Sequence, residues 1–96
     1  MKALPHTSDL TEVARLVIWF ESPEQALADT PRFVTYAMTY GSDAEMRVLR
    51  RYLSDDELRA AMDAAPPGIF DARSWAYWNL RLGRYPAPPM PARRFT

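Results

Sequence analysis

The chain contains no cysteine, one histidine (His6) and three glycines in 96 residues. The missing cysteines exclude disulfides, thiolate metal sites and cysteine nucleophiles. A single imidazole excludes any mechanism or metal site that needs two. Three glycines are too few for a phosphate-cradling loop, and all three (Gly41, Gly68, Gly83) sit where helices or turns should stop. No P-loop, dinucleotide fingerprint, Gly-x-Ser-x-Gly elbow or His-Glu-x-x-His motif occurs. An enzyme is therefore not expected, and no cofactor or metal is assigned. Excess charge of either sign is also lacking: twelve basic residues balance twelve acidic ones. A dedicated nucleic-acid or membrane-surface binder would carry a basic excess. Long apolar runs are absent too. The longest, Leu16 to Phe20, is far too short to cross a bilayer. Met1 to Asp9 does not read as a signal peptide, so the expectation is a soluble, cytoplasmic protein of bacterial type.

What is present is globular composition, 48% hydrophobic and 25% charged, in a chain of one-domain length. Helix punctuation is dense. Asp9 is positioned to cap a first helix with Leu10, Val13, Val17 and Phe20 on one stripe. Ser22-Pro23-Glu24-Gln25 combines an N-cap, a proline at the first position and a capping-box glutamine. Thr30-Pro31 restarts the pattern, with Phe33, Ala37 and Tyr40 on one face, Val34 and Met38 beside it, and Gly41 as a left-handed stop. Ser42-Asp43-Ala44-Glu45 and Ser54-Asp55-Asp56-Glu57 are further capping boxes. The first points Met46, Leu49 and Leu53 inward, and the second Leu58, Ala61, Met62 and Ala65. Pro66-Pro67-Gly68 ends this stretch. Asp71 then caps a helix through Leu82 that buries Trp75, Trp78 and Leu82, closed by Gly83.

No segment alternates with period two. The expectation is an all-α fold, a compact bundle of five or six short helices. Residues 1–8 are expected as a flexible N-terminus, 9–83 as the helical domain and 84–96 as an extended Pro-rich tail. Four prolines between Tyr85 and Pro91 bar a helix there.

The acids have structural explanations, because Asp55-Asp56-Glu57 sits in a first helical turn where the helix dipole favours negative charge. The basic residues are different. Eleven of the twelve are arginine, the side chain suited to bidentate anion contacts and aromatic stacking, although GC-rich coding bias produces the same excess. Arg47, Arg50 and Arg51 face away from one helix's apolar side, with Asp43 spaced to pair with Arg47. Arg73, Tyr77, Arg81 and Arg84 form a basic-aromatic face opposite Trp75 and Trp78. That face reads as a solvated side, as a recognition helix for DNA, or as a surface for an acidic protein. Trp19 and Phe20 belong to an apolar run that spills around its helix, which implies burial on all sides or a patch awaiting a partner. The tail carries Arg94 and Phe95, residues that suit wrapping a partner.

Leu16-Val17-Ile18-Trp19-Phe20-Glu21, Phe33-Val34, Tyr40-Gly41-Ser42-Asp43, Leu49-Arg50-Arg51-Tyr52, Leu58-Arg59-Ala60-Ala61 and Trp75-Ala76-Tyr77-Trp78-Asn79-Leu80 follow one another in an order that resembles a small all-helical bacterial family of unknown function. Genes of that family typically lie beside AbiEii-type nucleotidyltransferase toxins, as presumed antitoxins. The resemblance covers about residues 14 to 83. It departs at Phe20-Glu21, where the family has an aspartate-centred opening, and at Met38-Thr39, where a Leu-Glu pair is more usual. It implies a protein partner, a nucleotidyltransferase toxin, and no catalytic residues. On this reading the partner-binding residues are Trp19, Phe20, Arg47, Arg51, Tyr77, Arg81, Arg94 and Phe95. A helix-turn-helix DNA regulator using the last helix is the alternative, and self-association is a third expectation.

Overall fold

In a computed structural model, which describes residues 2–91, the chain folds into six helices with no strand among the described residues. They are α1 (Ser8–Val17), α2 (Pro23–Ala28), α3 (Thr30–Tyr40), α4 (Asp43–Leu49), α5 (Asp55–Asp63) and α6 (Ala72–Arg81). None is long and apolar enough to cross a membrane. The order and number agree with the spacing of the caps.

Five of the six helix starts are capped by a side chain, four at residues the sequence marks and α3 at Asp29 rather than at Thr30. Ser22, Asp29, Ser54 and Asp71 each accept a hydrogen bond from the backbone N–H three residues on. Ser42 and Ser54 head capping boxes, with Glu45 and Glu57 reaching back to the cap residue's N–H. Each such cap contributes about 1 kcal/mol to helix stability. The exception is α1, whose N-cap position is Thr7 rather than Asp9. Asp9 instead accepts from the Thr7 and Tyr52 hydroxyls, tying α1 to the turn after α4. These two bonds, Thr7's first, hold its carboxyl below the ordinary aspartate range.

α3 is the hub, packing against each of the other five helices. Phe33, Val34, Thr35, Ala37 and Met38 are all buried, so this helix is apolar around most of its circumference. The buried Thr35 hydroxyl donates back to the Pro31 carbonyl at 2.7 Å, which removes the cost of an unpaired polar group. Leu10, Leu27, Leu49, Leu58, Met62 and Trp78 complete the core around it. The radius of gyration, 12.8 Å, is close to the roughly 12.5 Å expected for a compact domain of this length.

Several sequence expectations shift. α1 ends at Val17, so Ile18 is buried while Trp19 and Phe20 lie in the turn beyond the helix. α4 stops at Leu49, α5 at Asp63 and α6 at Arg81, each short of its expected end at Leu53, Ala65 and Leu82. Leu53, Ala65 and Leu82 are buried nonetheless. Gly41 has φ −76°, not a left-handed value; a Cβ there would stand 2.5 Å from the Ala37 carbonyl oxygen. The glycine is needed for close approach. Gly83, at φ 81°, is the left-handed stop: with Gly83 N–H bonding Leu80 and Arg84 N–H bonding Asn79, it closes α6 as a Schellman motif.

Among the described residues, segments near both termini contact the helices. Leu4 is buried, Lys2 pairs with Glu57 at 3.1 Å, and the Lys2 carbonyl accepts from Thr30. The described part of the tail, residues 84–91, is non-helical as its prolines require. It lies along α6, where the Trp75 indole N–H donates to the Pro88 carbonyl at 2.8 Å.

Candidate functional site

Two surfaces collect the side chains that the core leaves over. The first lies where α1 hands the chain to α2. Helix α1 is buried at Leu10, Val13, Ala14 and Val17, which leaves Leu16 outside. The turn that follows inverts the chain, burying Ile18 and presenting Trp19 and Phe20. On α3 the core claims positions 33, 34, 37 and 38, so Tyr36 and Tyr40 fall on the rim beside them. The result is a chain of edge-on and tilted rings: Trp19 to Phe20 at 5.6 Å, Phe20 to Tyr36 at 5.9 Å, and Tyr36 to Tyr40 at 5.9 Å. With Leu16 and Val17 they line a groove of about 420 Å³.

This groove is both apolar and exposed. Trp19 is 79% accessible, Tyr40 66%, Leu16 56% and Phe20 52%. Covering large apolar side chains is worth about 1.5–3 kcal/mol each, so water contact here forgoes a sizeable stabilisation. These side chains are contiguous, unlike scattered surface hydrophobes, which need no explanation. Its edge is neutral. Arg32 stacks over Tyr36 at 5.1 Å and grips Glu21 through both nitrogens, at 2.6 and 3.1 Å. That bidentate contact is the main reason its guanidinium is held above its ordinary value.

The second surface is a cleft of about 210 Å³ between α4 and α6, lined by Asp43, Met46, Arg47, Arg50, Trp78 and Arg81. Arg81 lies over Trp78 at 5.3 Å and over Tyr77 at 5.8 Å, and donates to the Tyr77 hydroxyl at 3.0 Å. That hydrogen bond first, and the fields of Asp43 and Asp55 more weakly, hold its guanidinium above its ordinary value. Arg50 is committed elsewhere, to Asp55 at 2.8 Å. Arg47 and Arg81 have no ion pair among the described residues, so the expected Asp43–Arg47 pair does not form.

Of the eight residues expected from the sequence, Trp19 and Phe20 therefore meet in the aromatic groove. Arg47 and Arg81 line the cleft, with Tyr77 against Arg81. Arg51 belongs to neither: α4 ends before it, and its side chain turns to Asp9 at 3.9 Å. Arg84 leaves the basic face of α6 because it follows the Gly83 reversal and binds Asp63 at 2.7 Å. Arg94 and Phe95 lie outside the described residues.

Sequence reasoning missed Leu16, Tyr36 and Tyr40, and passed over Asp43 as a lining residue. A signal for the tyrosines existed: Arg32, Tyr36 and Tyr40 recur every fourth residue, like Arg73, Tyr77 and Arg81. Among the described residues no cluster of histidine and carboxylate side chains is able to hold a metal ion. Comparison with protein-family models, with curated proteins and with solved structures gives no match, so the reading of these surfaces rests on the chain's own residues.

Proposed function

We propose that this protein is a non-enzymatic binding module, antitoxin-like or accessory, that docks on a protein partner through the aromatic groove and the arginine cleft. The observation that carries this reading is the groove: of the eight large hydrophobic side chains exposed among the described residues, four (Leu16, Trp19, Phe20 and Tyr40) gather in it. Tryptophan, tyrosine and arginine are the residues that dominate the energetics of protein interfaces. The neutral edge favours a protein surface with an apolar anchor over a polyanion. The resemblance noted above makes an AbiEii-type nucleotidyltransferase toxin the partner to test. Co-expression of the two chains, with co-purification and a toxicity readout, is the experiment. Co-elution that Trp19→Ala weakens supports the proposal. Independent elution with unchanged toxicity defeats it.

The alternative, DNA recognition by α6, draws on the exposed Arg73, Tyr77 and Arg81 face. It is the weaker reading. The α5–α6 connection spans residues 64–71, longer than the three- or four-residue turn of a helix-turn-helix. Arg81, moreover, is turned into the cleft over Trp78.

A further inference from the structure

We propose that the cleft between α4 and α6 receives a carboxylate side chain from an acidic segment of the protein partner. This deepens the docking reading above and rests on it. Three guanidiniums, Arg47, Arg50 and Arg81, line one small cleft. Asp55 occupies Arg50 at 2.8 Å. Arg47 and Arg81 then face a single carboxylate, Asp43, which makes a contact ion pair with neither. The cleft is left with about one uncompensated positive charge. One side-chain carboxylate neutralises that charge. A phosphate monoester carries nearly two negative charges at neutral pH and would overshoot it while facing Asp43.

Geometry admits the same ligand. A planar guanidinium matches a carboxylate with two parallel hydrogen bonds, and Arg47 and Arg81 approach from different helices. Trp78 and Met46 form an apolar wall, which strengthens charge pairing over that in open water. A cleft of about 210 Å³ has room for a carboxyl group and some of its waters.

The cleft and the groove are also neighbours along the chain. Tyr40, the last residue of α3, lines the groove, and Asp43, the first of α4, lines the cleft. Three residues span at most about 11 Å. A single partner segment with an apolar anchor a few residues from an acid would reach both.

The test is an NMR titration of the full chain at constant ionic strength, following the Arg Nε–Hε signals and the Met46 methyl. The probe is a blocked Ser-Asp-Ser peptide, run beside its Ser-Asn-Ser analogue, inorganic phosphate and a short DNA duplex. Saturable shifts at Arg47, Arg81 and Met46, with a midpoint at least tenfold lower for the acidic peptide than for its amide analogue, are expected. Arg47→Gln and Arg81→Gln should each abolish that difference, and the Trp19 indole signal should not move. Equal response to the two peptides, or tighter binding of phosphate or the duplex, overturns the proposal. Because the probe is a free peptide, this readout is separate from co-purification: a partner that binds through Trp19 with no peptide discrimination leaves the docking reading standing and removes this one.

Discussion

The indole N–H of Trp78, on α6, donates to the main-chain carbonyl of Met38, on α3, at 2.9 Å in the buried core. Met38 is in the last turn of α3, where helix carbonyls have no partner within the helix. A side chain 40 positions along the chain supplies the missing donor. The same bond seats Trp78 where its outer edge can line the arginine cleft, so core packing and the candidate site share one residue.

Trp78→Phe keeps an aromatic ring but leaves that carbonyl unpaired. The expected cost is about 1–3 kcal/mol, or roughly 5–20 °C in Tm for a domain of this size. Trp75→Phe removes a bond to Pro88 that is only partly buried, where water can substitute, and should cost less. Thermal melts of the two variants side by side check the ranking.

Gly41→Ala tests whether this glycine serves conformation or space. Its backbone, φ −76° and ψ 156°, suits any residue, and by that criterion alanine would stabilise by about 0.4–1 kcal/mol. The 2.5 Å approach to the Ala37 carbonyl oxygen reverses the sign. Destabilisation of about 1–3 kcal/mol is expected, read as a lower urea midpoint at unchanged slope.

Stability should fall in acid. Asp9, Glu45, Glu57 and Asp71 are all held below their ordinary values: Asp9 chiefly by the Thr7 hydroxyl, Glu45 by the Ser42 hydroxyl, Glu57 by the Ser54 N–H and Asp71 by the Ser74 N–H. A depressed folded-state value means the unfolded chain takes up protons first. The stabilisation is therefore complete above the ordinary carboxylate range and is lost as pH drops below about 4. Melts from pH 7 to 2 should show Tm level and then falling. Asp9→Asn should flatten part of that fall, since it removes one of the four groups.

Trp19→Ala separates stability from binding. With 79% of Trp19 in water, Tm should stay within about 2–4 °C of the parent. Partner affinity should drop by about 2 kcal/mol, near thirtyfold, if Trp19 anchors the interface. A large Tm loss in this variant would mean that the ring packs as core.

Much of the architecture is legible in the residues alone. Ser22-Pro23, Thr30-Pro31, Ser42, Ser54 and Asp71 mark helix starts because capping is a local interaction, satisfied within four residues. The apolar stripe of α5, and that of α3 apart from the exposed Tyr40, identify the core for the same reason: a period of 3.6 places those side chains on one face whatever surrounds them. The non-helical character of residues 84–91 follows from proline geometry.

What tertiary structure decided is which surplus side chains meet. α1 ends at Val17, so Trp19 and Phe20 turn outward, and α3's demand for burial at 33, 34, 37 and 38 sets Tyr36 and Tyr40 beside them. Arg47 and Arg81, 34 positions apart, share a cleft only because α6 docks on α3 through Trp78. Arg51, adjacent to Arg50 in sequence, is lost to the cleft because α4 has already ended. Local chemistry reaches about one helical turn. The convergence of charges and rings from separate helices depends on how apolar faces pack, and no local pattern encodes that.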